Sequence, residues 1–191
     1  MMDTALKIDI PSNYQDQLRR CGPLDTRSDQ EILQSLSKPP AVTSEKNIWC
    51  FWDAGLASLP SWCKRNLIAW HRINGPEWTI RLLDAVPGSE NHFSTFVKED
   101  LLPEALVTGT MEGAHVGPHS ADLLRAATVW QHGGVWMDVG CILTRSIDRI
   151  CWNVLEDGKN EYEICVFWVD GPTIANHFVA GRKGAEFLMK W

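Results

Sequence analysis

The 191 residues predict an α/β fold, a mostly parallel sheet flanked by helices, and three observations carry that prediction. An Ile/Trp/Phe-rich run, "NIWCFW", leads into an amphipathic stretch and then into "EWTIRLLD", the strand, helix, strand order of a parallel unit. A second passage, "SADLLRAATVWQHGGVWMD", again reads as a helix delivering the chain to a short apolar strand. An apolar content of 45% is enough to bury one sizeable core.

Taken in order, residues 1–45 are polar. Ser28 and Glu31 form a capping box ahead of Ile32, Leu33 and Leu36, and Pro39-Pro40 stops the helix, so this segment reads as a helical N-terminal appendage to a main domain over residues 46–191. "NIWCFW" is a buried strand rather than a helix because Asp53 and Gly55 end it quickly. Cys63, Leu67 and Trp70 recur at i, i+4 and i+7 after Pro60, and Asn74-Gly75-Pro76 ends the pattern, which predicts a helix over about 60–73. "EWTIRLLD" is the next strand. Residues 89–107 read as irregular helical turns and "EGAHVGPHS" as a glycine-rich loop. Ser120 as N-cap and Gly133-Gly134 as C-cap bound a helix over about 120–132. There follow the strand "VWMD", the short apolar run "CIL", a helix near 146–156, strands at "EICVFWV" and near 177–181, and an amphipathic start at "AEFLMKW". That last helix has no cap and no stop signal, so the domain is expected to be truncated at its C-terminus.

Composition excludes several classes of function. A formal charge of −6 gives no broad electrostatic grip on nucleic acid. The six cysteines, at 21, 50, 63, 141, 151 and 165, form no CxxC pair and sit mostly in apolar runs, so they read as reduced core thiols. No apolar stretch approaches the ~18 residues of a membrane span, and "MMDTALKIDIPSN" lacks the basic-then-apolar design of a leader. A cytoplasmic location without a transmembrane segment is the expectation. Of the ten tryptophans, Trp49, Trp62, Trp70 and Trp136 are assigned to the core. His115 and His119 do not form a metal pair, because Gly117-Pro118 interrupts the helix that would align them.

Ligands of open parallel sheets bind beyond the carboxyl ends of the strands, where Asp138 and the Trp52-Asp53 pair stand. Asp122 and Arg125, three residues apart, share one helix face, and Asp122 is expected to benefit from the positive helix N-terminus. Each has a plainer alternative: Asp138 as a turn cap at a strand end, Asp122 and Arg125 as a surface ion pair, Trp52 as core filling.

"SADLLRAATVWQHGGVWMDVG" resembles the central motif of the sugar-binding DXD glycosyltransferases, the group that includes capsular polysaccharide synthesis-like proteins and mannosyltransferases, with the clostridial glucosylating toxins as distant relatives. "NIWCFWDAG" with the "SWCKRNLIAWHRINGPEWTIRLLD" that follows is similar to that family's opening, and "IANHFVAGRKGAEF" to a downstream segment. The resemblance implies a Rossmann-like GT-A fold and a retaining hexosyltransferase that uses a UDP- or GDP-linked sugar and an acceptor that is a glycan, lipid, small molecule or protein. It implies that Trp52 stacks on the donor's base, Asp122 and Arg125 bind the donor sugar, Asn176 lies near the transferred sugar, Asp138 and Asp122 are the catalytic residues, and Asp138 is also the contact to Mn²⁺ or Mg²⁺. Gly140 replaces the motif's second aspartate, which puts metal dependence in question and turns attention to Arg182 and Lys183 as cations for the departing diphosphate. The rival reading is a catalytically silent nucleotide-sugar-binding or scaffold protein of the same fold. A glycosidase with paired carboxylates stands third.

Overall fold

The computed structural model describes residues 11–15, 25–171 and 173–190. Residues 1–10, most of the stretch on which the leader reading rests, and Cys21 lie outside them. Helix α1, Asp29–Leu36, begins at the expected capping box: the Ser28 hydroxyl accepts the Glu31 N–H at 3.3 Å and the Glu31 carboxylate accepts the Ser28 N–H at 2.7 Å. Its Ile32 and Leu36 are buried, and Leu36 joins the core beneath the sheet.

Strand β1 (Asn47–Phe51), helix α2 (Ser61–Asn74) and strand β2 (Thr79–Leu83) form the expected parallel unit, in register from Asn47 opposite Thr79 to Phe51 opposite Leu83. Helix α3 (Val116–His132) and strand β3 (Gly134–Met137) add a third parallel strand beside β1. Strands β4 (Ile164–Trp168) and β5 (Ile174–Gly181) complete a five-stranded sheet of order β2-β1-β3-β5-β4. The last two pairings, β3 with β5 and β5 with β4, are antiparallel, so the sheet is mixed and only its first half is parallel.

Strand alternation sorts the core into two layers. Ile48 and Cys50 pack on the α2 side with Leu67, Trp70 and Met137, whereas Trp49 and Phe51 pack on the α3 side with Leu124, Val129 and Trp136. The step from α3 to β3 depends on Gly134, which has φ +102° and runs so close to β1 that a Cβ would stand 2.4 Å from the Asn47 carbonyl oxygen. Arg81, buried in β2, fastens the incoming chain by donating to Asn47 Oδ1 at 2.8 Å and to the carbonyls of Pro40 and Ala41 at 2.5 and 3.1 Å.

Several local expectations change. Helix α3 starts at Val116, so Gly117 and Pro118 lie within its first turn, where proline is tolerated because that N–H has no helical acceptor. Ser120 is therefore not the N-cap; inside the helix, its hydroxyl donates back to the Val116 carbonyl at 2.8 Å. Trp62 is 59% exposed, standing off the Cys63/Leu67/Trp70 stripe in the first turn of α2, whereas Trp49, Trp70 and Trp136 are fully buried. "CIL" forms neither strand nor helix. A π-helical segment, Asp148–Trp152, runs into Asn153–Glu156, and a short α4 (Glu186–Lys190) ends the described chain. The five described cysteines are free thiols. Among the described residues no helix is long and apolar enough to cross a membrane.

Candidate active site

Strands β1 and β3 run side by side in the same direction, so their carboxyl ends open on one side of the sheet. Trp52 and Asp53 leave β1 there and Asp138 leaves β3. Helix α3 crosses above with Asp122 and Arg125, and β5, entering antiparallel, brings Asn176 to the same place. These residues line one cavity of about 440 Å³, together with Phe51, Gly117 and Val139. All five residues singled out from the sequence, Trp52, Asp122, Arg125, Asp138 and Asn176, thus meet at one crevice.

Arg125 is the hub. Its side chain is only 5% exposed, against 48% for Asp122 and 41% for Asp138. One terminal nitrogen, Nη2, lies 2.6 Å from Asp122 Oδ1 and 3.7 Å from Asp138 Oδ1, while Nη1 donates to the Asn176 carbonyl. The Asn176 amide closes the ring by donating to Asp122 Oδ1 at 3.1 Å. A guanidinium suits this task because its planar fork reaches several acceptors at once. The Asp138 backbone is held by its N–H, which donates to the His177 carbonyl at 2.9 Å and prolongs the β3–β5 ladder by one bond. Its carboxylate accepts the Trp136 indole N–H at 2.9 Å. Trp52 is fixed by its own indole N–H, which donates to the Ser58 hydroxyl at 3.1 Å. Burial, and then the neighbouring Asp138 carboxylate, push the Cys141 thiol up to about 11, which leaves it unsuited to act as a thiolate.

Other expectations are corrected by the geometry. Asp122 lies nearly two turns inside α3, beyond the reach of its N-terminal charge; the carboxylate beside that terminus is Asp53, whose Oδ2 would be 3.1 Å from a methyl group on Gly117. Arg182 and Lys183 follow Gly181, which pairs with the first residue of β3, Gly134, so they stand at the end of the sheet away from Asp138. There the Arg182 guanidinium donates to the Glu45 carboxylate at 3.0 and 3.1 Å and cannot serve a diphosphate in this cavity. Sequence reasoning missed Trp136, assigning it only to the core. The signal was available, since residues two apart on a strand share a face.

The described side chains alone form no preassembled cluster of three metal ligands. Among the described residues no three His, Cys, Asp or Glu side chains cluster to hold an ion, and His115 and His119 stand edge to face with ring centroids 6.2 Å apart. Asp138 is the sole carboxylate of the Asp-x-Gly turn, and a Cβ on Gly140 would lie 3.6 Å from the Trp62 ring. A hard divalent ion takes six or more oxygen ligands, of which Asp138 would supply one and a donor diphosphate and waters the rest.

Comparison with known proteins gives the family. The chain is 53% identical over 182 residues to a protein named probable glycosyltransferase FCK3 of Fusarium pseudograminearum, covering 95% of this chain and 46% of that one. It is 44% identical over 170 residues to glycosyltransferase afumC of Aspergillus fumigatus (86% and 44% covered) and 41% identical over 172 residues to O-glycosyltransferase braB of Annulohypoxylon truncatum (88% and 41%). The chain therefore spans about half the length of these curated relatives. Residues 13–161, which include α1, the parallel half of the sheet, Asp122, Arg125 and Asp138, match the model described as capsular polysaccharide synthesis protein. With that match covering well over half of its length, the chain belongs to the capsular polysaccharide synthesis protein family.

Proposed function

We propose that this chain carries the donor site of a retaining, GT-A-type glycosyltransferase that moves a hexose from a UDP- or GDP-linked sugar to an acceptor hydroxyl. The observation that carries the reading is the meeting of Trp52, Asp122, Arg125, Asp138 and Asn176 in one cavity at the carboxyl ends of β1 and β3. The names of the relatives support glycosyl transfer, and the name of braB supports an oxygen acceptor. Retention rests on the resemblance of the central motif. In the reaction the bond between the anomeric carbon and the diphosphate oxygen breaks, its electron pair leaves with the diphosphate, and the acceptor oxygen joins that carbon and gives its proton to the departing diphosphate. Asp122 and Arg125 hold the donor sugar's hydroxyls, Asp138 faces the ribose and the reacting sugar, Trp52 offers a flat wall for the base, and Asn176 lies near the transferred sugar. An adjoining cavity of about 570 Å³, reached across Asp53 and lined by Val86, Phe93, Leu106 and Met111, gives a two-part donor room for its second part.

Charge sets a condition on the donor. The cavity carries three carboxylates, Asp53, Asp122 and Asp138, against the single guanidinium of Arg125. A diphosphate entering alone meets net repulsion, so Mn²⁺ or Mg²⁺ is expected to strengthen donor binding in calorimetry. The test of function is a panel of nucleotide sugars scored by release of free nucleotide, run with Mn²⁺ and with chelator. Release from one UDP- or GDP-hexose is the expected result. Absence of both release and thermal shift across the panel would refute the reading, since a ligand at 100 times its Kd adds about 2.7 kcal/mol of stability. The silent-binder alternative is favoured by Gly140, where the second motif carboxylate is lacking. A thermal shift without release would establish it.

A further inference from the structure

We propose that Trp136 is a positioning residue for the transfer, acting through Asp138 and Arg125; this rests on the donor-site reading above. Trp136 is fully buried, and its backbone is paired in register with Trp49 of β1 and Val179 of β5. Trp49 and Trp70, equally buried, spend their indole N–H groups on backbone carbonyls, those of Gly133 and Cys141. Trp136 instead gives its N–H to the carboxylate of Asp138, 2.9 Å away. The Arg125 guanidinium carbon lies 5.8 Å from the centroid of the same ring, and its Nη2 lies 3.7 Å from the same carboxylate oxygen. One buried indole therefore sets both the anion and the cation of the cavity. With Oδ1 engaged by the indole and the guanidinium, Oδ2 is the Asp138 oxygen left for a ligand. A phenylalanine would keep an aromatic ring in the core at the cost of a small cavity, but it could not hold the carboxylate, and a buried indole N–H is costly unless bonded.

The test replaces Trp136 with β-(3-benzothienyl)alanine, which keeps the shape of the indole and exchanges its N–H for sulphur, and in parallel with phenylalanine (Trp136→Phe). The expected result is a fall in kcat of about tenfold or more, the scale of a lost hydrogen bond to a charged group, with donor KM within about threefold and the melting temperature of the benzothienyl protein unchanged. In an Asp138→Ala background, which removes the acceptor of the indole N–H, the same replacement should lower kcat less than about twofold, because the two residues act as one unit. Tryptophan restored at the same codon recovers the rate. An unchanged kcat, or an equal loss in both backgrounds, overturns the proposal and leaves Trp136 as core alone. If the wild-type protein turns over no donor, the functional reading fails and indole NMR decides this one separately. Asp138→Ala must then shift the Trp136 N–H resonance and speed its exchange with solvent about tenfold, and an unaltered resonance overturns the coupling.

Discussion

At the scale of single residues, the cavity concentrates its chemistry on one buried cation and two half-exposed anions. Asp138→Asn preserves shape and keeps an oxygen for the Trp136 N–H, so it isolates the charge. Nucleotide release is expected to fall by about two to three orders of magnitude, as for loss of a charge-stabilising group, while the melting temperature moves by only a few degrees; unchanged turnover would remove Asp138 from the site. Arg125→Lys is not a conservative change here, because a single ammonium cannot reach Asp122, Asp138 and the Asn176 carbonyl together. Donor KM is expected to rise about tenfold or more and stability to drop by roughly 1–3 kcal/mol, read by steady-state kinetics and urea unfolding. Much of this cluster was legible in the sequence, since three-residue spacing on a helix and a carboxylate ending a strand are local patterns. The indole bond of Trp136 was obscured because a tryptophan in a strand looks like core, and here it is core as well. Arg182 and Lys183 were misread because a basic pair carries no sign of which end of the sheet it occupies.

At the scale of elements, the glycines of "QHGGVWMDVG" separate into two kinds. Gly134 combines φ +102° with a backbone approach that leaves no space for a side chain. Gly134→Ala is therefore expected to cost at least about 3 kcal/mol, from strain and from displacement of β1. Gly140 has an ordinary backbone, and an added Cβ would only rest on the Trp62 ring at 3.6 Å. Gly140→Ala should change stability by less than about 0.5 kcal/mol. Urea unfolding of the two variants distinguishes them, and comparable losses would contradict this division. The long helix α3 was recognisable from its period and its Gly-Gly stop, yet its start was placed four residues late. Pro118 was read as a breaker when it occupies the turn that accepts proline, and that error also displaced the N-terminal charge from Asp53 to Asp122.

At the scale of the whole molecule, the parallel half of the sheet followed from the strand, helix, strand order, and the antiparallel half did not. The link from Trp168 to Ile174 is too short for a parallel crossover, which needs a dozen residues or more, so the reversal could have been read from loop length. Global stability adds a pH dependence centred far from the cavity. His71, near the end of α2, is buried, and its Nδ1 lies 3.5 Å from Arg27 Nη2. Burial first, then the Arg27 charge, lower its pKa from 6.5 to about 4, against the opposing pull of Asp25. The folded protein thus resists a proton that the unfolded chain accepts below pH 6.5. The stability this group contributes is complete above that value and is lost as pH falls toward 4, by roughly 2 kcal/mol at pH 5 and about 3 kcal/mol at pH 4. Urea midpoints between pH 7 and 4 should fall more steeply for the wild-type protein than for His71→Gln, which has no proton to gain. Parallel curves for the two proteins would mean that His71 does not govern this window.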